Sequence, residues 1–319
     1  MSNKIKTDDN INELIKYLEQ INDIKYADVP NDALMVLSYT SGTTGYSKGV
    51  MLTVNNLTAN IYYAINKVNK STGGHWFQKG RRTLAFLPLA HAFGCAFDFL
   101  APLAAGGHIN LLGKMPTPKV LVEAMAKVQP SIICSVPLVL EKVYRKQIAP
   151  MLEKGPLSIA MKVPLVNEVV RMKIKEKLMA SFGGNLEMFI VGGAPMNKET
   201  ETFLKSIRFP IIVGYGMTEC APLICVTPQP EEYKLGSCGK YLKEYLDVKI
   251  ESSDPQHIPG EIMVKGEMVM QGYYKNAKDT EAVLEPDGWM HTGDMGIMDP
   301  DGTVYIKGRC KTMILTDTG

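Results

Sequence analysis

Apolar and polar positions alternate along this chain with two different periods. Short apolar runs bounded by glycine, proline and small polar residues read as buried strands at 33–39, 50–52, 83–87, 108–112, 131–135, 186–191 and 211–213. Between them the spacing becomes helical, at 55–68, 118–128, 138–152, 158–180 and 197–207. Asn55 or Asn56 is the expected cap of the first of these helices. An earlier helical pattern (Ile11, Leu14, Ile15, Leu18, Ile21) lies in a polar stretch and stops before Pro30. Strand–helix alternation of this kind predicts an α/β class with layered sheets and helices, the main sheet largely parallel. After about residue 235 the texture changes to short β-rich pieces at 247–251, 260–264, 268–270 and 303–306, separated by Gly, Pro and Asp turns. These predict a small β-barrel-like subdomain, so the expected division is an α/β part over 1–235 and a β-rich subdomain over 236–308.

Composition narrows the function classes. With 45% hydrophobic residues in 319, the chain fills one large core or two ordinary ones. The balance of 35 basic against 33 acidic residues leaves no field for nucleic acid, and no basic–aromatic interleaving supports such a partner. Cysteines at 95, 134, 220, 225, 238 and 310 form neither a CxxC pair nor a Cys/His cluster, and read as reduced and mostly buried in a cytosolic protein. The opening Met1-Ser2-Asn3-Lys4-Ile5-Lys6 has no apolar signal core. From Thr83 to Gly107 the only formal charge is Asp98, and the length would span a bilayer. Pro88, His91, Gly94, Pro102, Gly106 and Gly107 interrupt it, which favours a buried strand, loop and helix. The lysine-rich run 171–177 suits either a solvated helix face or peripheral contact with an anionic membrane.

Candidate chemistry begins with Tyr39-Thr40-Ser41-Gly42-Thr43-Thr44-Gly45-Tyr46-Ser47-Lys48-Gly49-Val50, a loop leaving the first strand. Its glycines let successive N–H groups turn toward one point, Thr40, Ser41, Thr43 and Thr44 add donors, and Lys48 supplies a mobile charge, a set suited to phosphate. It is not the P-loop of nucleotide triphosphatases, which needs Gly-Lys-[Ser/Thr]. Gly192-Gly193-Ala194-Pro195 follows a strand and precedes a helix, where small residues let a planar ring approach the backbone. Gly214-Tyr215-Gly216-Met217-Thr218-Glu219 offers a stacking surface, a hydroxyl donor and a hard oxygen ligand on one loop. In Asp287-Gly288-Trp289-Met290-His291-Thr292-Gly293-Asp294-Met295-Gly296, Asp294 is an acceptor-only carboxylate on a glycine-flanked turn, made to receive two vicinal hydroxyls. His91, in Pro88-Leu89-Ala90-His91, reads on composition alone as a satisfied, partly buried histidine.

These blocks, in this order from 39 to 311, resemble the AMP-forming acyl-CoA synthetases of the adenylate-forming superfamily, and look most like the long-chain fatty acid–CoA ligases. One departure is Ser47-Lys48-Gly49 where the family usually has Pro-Lys-Gly. The resemblance implies ATP and AMP, Mg²⁺, and coenzyme A and a fatty acid as substrates. It implies that Thr40, Ser41, Gly42, Thr43, Thr44, Gly45 and Lys48 hold phosphate, and that Gly193, Ala194 and Pro195 shape the adenine pocket. It further implies that Tyr215, next to Gly216, stacks on adenine, that Thr218 contacts phosphate and that Glu219 holds Mg²⁺. His91 then lines the passage from acid to nucleotide, Asp294 takes the ribose, Arg309 reaches ribose or phosphate, and Lys311 stands at the hinge. By the same resemblance the chain is expected to be a fragment of the large domain, incomplete at both ends. Only residues 1–38 precede the phosphate loop, and 309–319 would begin a missing C-terminal domain whose lysine is needed for turnover. The rival expectations are a non-catalytic adenylate-binding module, and a ligase for another carboxylate or a carrier-protein thiol.

Overall fold

A computed structural model describes residues 29–41, 47–67, 77–153 and 164–310. The helical pattern at 11–24, Gly42 to Gly45 and Lys311 lie outside these residues, as do 158–163 of the helix expected over 158–180.

A seven-stranded sheet forms the middle layer, in the order β4-β3-β5-β6-β7-β8-β9. Its strands are β3 (Arg82–Ala85), β4 (His108–Leu111), β5 (Ile132–Ser135), β6 (Met188–Val191), β7 (Ile211–Gly216), β8 (Leu223–Val226) and β9 (Lys240–Tyr241). The first five pair in parallel, and β8 and β9 add antiparallel at one edge. Alternation along the strands splits the core in two. Ile133, Phe189 and Ile211 face the helices Pro118–Val128, Pro137–Val143, Pro164–Ser181 and Lys198–Ser206, packing on Met125, Leu140, Leu178 and Leu204. Ile132, Cys134, Met188 and Ile212 face the other way, toward the helix Val54–Tyr62 and the segment Gly94–Leu100. That second layer contains the stretch that has membrane-span length in the sequence. Among the described residues no helix is long and apolar enough to cross a membrane.

The phosphate-loop region departs from expectation. β1 (Leu34–Ser41) and β2 (Ser47–Thr53) form an antiparallel hairpin, with Thr40 opposite Lys48, and β12 (Gly272–Tyr273) completes a three-stranded sheet of its own. β1 is its outer strand, so the apolar run read as buried leaves Leu34, Met35 and Tyr39 more than half exposed. The cap of Val54–Tyr62 is Thr53, whose hydroxyl accepts the Asn56 N–H while the Asn56 side chain accepts the Thr53 N–H. Asn56 is thus the third helical residue rather than the cap.

The expected barrel-like unit takes the form of a four-stranded antiparallel sheet, β10 (Leu246–Glu251), β11 (Gly260–Gly266), β13 (Met290–Met298) and β14 (Val304–Arg309), tied to β9 by a bridge between Lys240 and Thr303. Residues 268–270, read as a strand, form a turn. Buried Met268 and Met270 serve there as core anchors, and pairing resumes at β12.

Candidate functional site

The parallel strands β3, β6 and β7 end on one side of the sheet, where open α/β sheets take their ligands. A cavity of about 840 Å³ lies there, lined by His91 after β3, Gly192 and Gly193 after β6, and Tyr215 to Glu219 at the end of β7. The smaller sheets supply the facing wall through Lys48, Tyr273, His291, Thr292, Gly293 and Arg309.

One end is polar. The Lys48 Nζ lies 2.9 Å from Asp279 Oδ2 and 4.8 Å from the centre of the Tyr273 ring. The hydrogen bond from Lys48 holds the Asp279 carboxyl below its ordinary range. The Tyr273 hydroxyl in turn donates to Glu219 Oε1 at 2.8 Å, and the Met270 N–H donates to the Glu219 carbonyl at 2.8 Å. Burial, then the Glu219 charge, pushes the Tyr273 hydroxyl up, so it stays a donor. A carboxylate so oriented, with Thr218 beside it and Lys48 on the facing wall, has the hard oxygen and charge that a divalent cation and a phosphate require. Gly216 makes the turn feasible: a Cβ there would meet the Pro222 carbonyl oxygen at 1.9 Å.

Beside this group the two large sheets are cross-linked. The Tyr215 hydroxyl donates to Asp294 Oδ2 at 2.7 Å, and Arg309 Nε lies 3.1 Å from Asp294 Oδ1. The Asp294 N–H donates to Thr292 Oγ1 at 3.1 Å, which itself donates to the Ile262 carbonyl at 2.8 Å. Burial first, and then the Asp294 charge, holds the Tyr215 hydroxyl protonated. Glu261 accepts the Gly293 N–H at 2.9 Å and faces His291 Nδ1 at 2.9 Å, while Glu285 lies 3.0 Å from His291 Nε2. These carboxylates, Glu261 foremost, raise the imidazole pKa. Glu251, Glu261 and His291 stand close enough to share an ion, but both ring nitrogens already face carboxylates, so the cluster reads as an ion-paired brace for the stretch of β13 that carries Asp294, which lies in a strand paired with β14 rather than on the turn expected from its flanking glycines.

The other end is apolar, lined by Ala64, Phe77, Phe93, Phe97, Met188, Ile190, Ile212, Leu223 and Val226, with Tyr63 among them. His91 sits on the same lining, its Nδ1 accepting the Phe93 N–H at 3.3 Å.

Of the residues selected in the sequence, Thr40, Lys48, His91, Gly193, Tyr215, Gly216, Thr218, Glu219 and Arg309 line this one cavity. Asp294 is 8% exposed and stands behind the lining, joined to it through Tyr215 and Arg309. Ala194 and Pro195 do not line it: past Gly193, at φ +82°, both are exposed on the approach to Lys198–Ser206. Ser41 pairs through its backbone with Ser47. Gly42, Thr43, Thr44 and Gly45 are outside the described residues.

The family model "AMP-binding enzyme" matches residues 3–274. The chain belongs to this family. It is 31% identical over 298 residues to 4-coumarate-CoA ligase 1 of Narcissus pseudonarcissus, covering 90% of this chain and 48% of that protein. It is 31% identical over 310 residues to long-chain-fatty-acid–CoA ligase 4 of Saccharomyces cerevisiae, covering 91% and 43%. The chain therefore spans about half the length of the curated relatives it matches. Its fold superposes with a TM-score of 0.68, at 25% identity, on O-succinylbenzoate coenzyme A synthetase of Bacillus subtilis solved with ATP and magnesium ion, covering 95% of this chain and 57% of that one.

Sequence reading missed Tyr273 and Asp279. The signal for Tyr273 was Gly272-Tyr273, hidden by the apolar run assigned to a strand just before it. Asp279 carries no local signal, because its meaning comes from Lys48, far away in the chain.

Proposed function

We propose that this chain forms the nucleotide- and acid-binding part of an AMP-forming fatty acid–CoA ligase. The observation that carries this reading is a single cavity with phosphate-type groups at one end and an apolar lining at the other. In the first step a carboxylate oxygen bonds to the α-phosphorus of ATP as the bond to the leaving pyrophosphate breaks. In the second, the CoA sulfur bonds to the acyl carbonyl carbon, AMP departs, and the thiol proton passes to solvent. No protein nucleophile is needed, so catalysis rests on positioning and charge. Tyr215 stacks on the base while its hydroxyl fixes Asp294 for the ribose oxygens, with Arg309 beside it. Lys48 and Thr218 hold phosphate oxygens. Glu219, oriented by Tyr273, holds Mg²⁺, which when bound neutralises charge on the phosphates. His91 lines the route along which the carboxylate and the thiol reach the reacting atoms.

A second reading, an aryl acid such as a hydroxycinnamate, is favoured by the aromatic share of the apolar end: Tyr63, Phe77, Phe93 and Phe97 offer ring faces. Acid-dependent ATP–pyrophosphate exchange by the intact parent protein, run over saturated acids of graded length and over hydroxycinnamates, tests both. Exchange with the saturated acids supports the fatty acid reading, and exchange with hydroxycinnamates alone transfers it to aryl acids. Nucleotide binding with no exchange for any acid leaves a non-catalytic adenylate-binding module.

A further inference from the structure

The apolar end of the cavity has a back wall, and behind it lies a second cavity. This second space, of about 720 Å³, is lined by charged residues together with Pro228, Tyr241, Leu242, Pro255 and Met298. Tyr63 lines both spaces. Its ring meets Tyr245 edge-on, with centres 6.3 Å apart and planes at 86°, so the partition is a braced aromatic plate.

The wall is held at a fixed place relative to the polar end. Tyr63 follows directly on the helix Val54–Tyr62, which two buried asparagines tie to neighbouring backbone. Asn56 Nδ2 donates to the carbonyls of Glu267 and Val269, at 2.6 and 2.9 Å. Asn60 Nδ2 donates to the Cys220 carbonyl at 3.2 Å, and its Oδ1 accepts the Leu223 N–H at 3.0 Å. Cys220 adjoins Glu219, so the element bearing Tyr63 is hydrogen-bonded to the turn that carries the metal-type carboxylate. At Tyr63 the helix widens into a π-helical segment, Tyr63–Lys67, and the facing wall with Phe97 is a π-helical segment as well, Gly94–Leu100. Such segments are frequent at functional sites, although a third one, Tyr144–Ile148, lies away from the cavity.

We infer that Tyr63 is the end stop of the acid site and sets the longest acyl chain it admits, since beyond its ring the lining changes from apolar to charged. This rests on the ligase reading and names its specificity residue. Ala64, buried next to it on the same lining, is the position from which the stop can be advanced.

The test is binding of non-hydrolysable acyl-sulfamoyl adenosines of graded acyl length to the purified chain, with AMP as the reference ligand, so that turnover is not required. For the unaltered chain, affinity rises with length and then falls at a limit. Tyr63→Ala moves that limit to longer chains, with a gain of about tenfold for analogues beyond the original limit, the scale of discrimination expected where a pocket gains or loses small apolar groups. Ala64→Leu, which keeps the tyrosine, moves it to shorter chains and carries the test by itself if circular dichroism shows Tyr63→Ala unfolded. A limit unmoved in the folded variants overturns the end stop while leaving the ligase reading intact. Failure of the unaltered chain to bind AMP and every analogue overturns the ligase reading and the end stop with it.

Discussion

Asp98 is a carboxyl group buried to 1% exposure, with Oδ2 accepting the Leu87 N–H at 3.4 Å and the Cys134 thiol nearby. Burial outweighs those hydrogen bonds and pushes its pKa up to about 7, from an ordinary 3.8. An acid whose folded pKa is raised favours the folded state while it is protonated. Its contribution is full below about pH 4 and is lost as the pH climbs through about 7, a change of at most about 4 kcal/mol. Asp98→Asn therefore gains stability over the unaltered chain as pH rises from about 4 to 7, measured by urea unfolding at several pH values. A constant difference across that range contradicts the assignment. Tyr273 makes a second prediction at this scale. Tyr273→Phe keeps the ring under Lys48 and deletes only the hydroxyl that orients Glu219, so Mg²⁺-dependent ATP affinity drops about tenfold, as for other lost partners of a metal ligand. Calorimetric titration of ATP with and without Mg²⁺ reads it; an equal loss in both would place the effect on Lys48 instead.

Elements were legible where their reasons are local. Pro118–Val128 has a threonine before it, proline at its first position and a left-handed Gln129 after it, and its extent agrees with the sequence reading residue for residue. The strands β5, β6 and the first half of β7 read correctly because both faces are covered, which leaves continuous apolar runs, while 214–216, read as loop from its glycines, continues β7. β1 misled because an equally apolar run belongs to a small outer sheet, a matter of tertiary placement. Helix widening at Tyr63 and at Gly94 has no local sequence signature, and the true cap, Thr53, was outcompeted by the asparagines that follow it. Asn60 shows what tertiary structure adds. It looks like an ordinary helical residue in sequence, yet it satisfies backbone groups of Cys220 and Leu223 in a fully buried site. Asn60→Ala leaves those groups unpaired and costs about 2–3 kcal/mol in urea unfolding. A loss below about 0.5 kcal/mol would mean that the helix is not anchored there.

At the scale of the whole molecule, three sheets are joined by side chains at one cavity, in addition to the Lys240–Thr303 bridge. Tyr215 to Asp294 joins the seven-stranded sheet to the four-stranded one, and Tyr273 to Glu219 joins the three-stranded sheet to the β7 loop. Lys48, Tyr215, Glu219 and Asp294 converge although the sequence separates them widely. Recognising each block was within reach of the sequence. Seeing that the lining turns apolar toward Tyr63 was not, since Phe93, Met188, Ile212 and Leu223 share that wall only through packing. The central claim is that nucleotide and acyl chain occupy one continuous site. Its most direct measurement is calorimetric competition between AMP and a fatty acyl-sulfamoyl adenosine on the purified chain. The expected result is mutually exclusive binding at one site, with the acyl compound tighter than AMP by about tenfold or more, since several methylenes leave water. Simultaneous binding of both ligands, or equal affinity for the two, would contradict it.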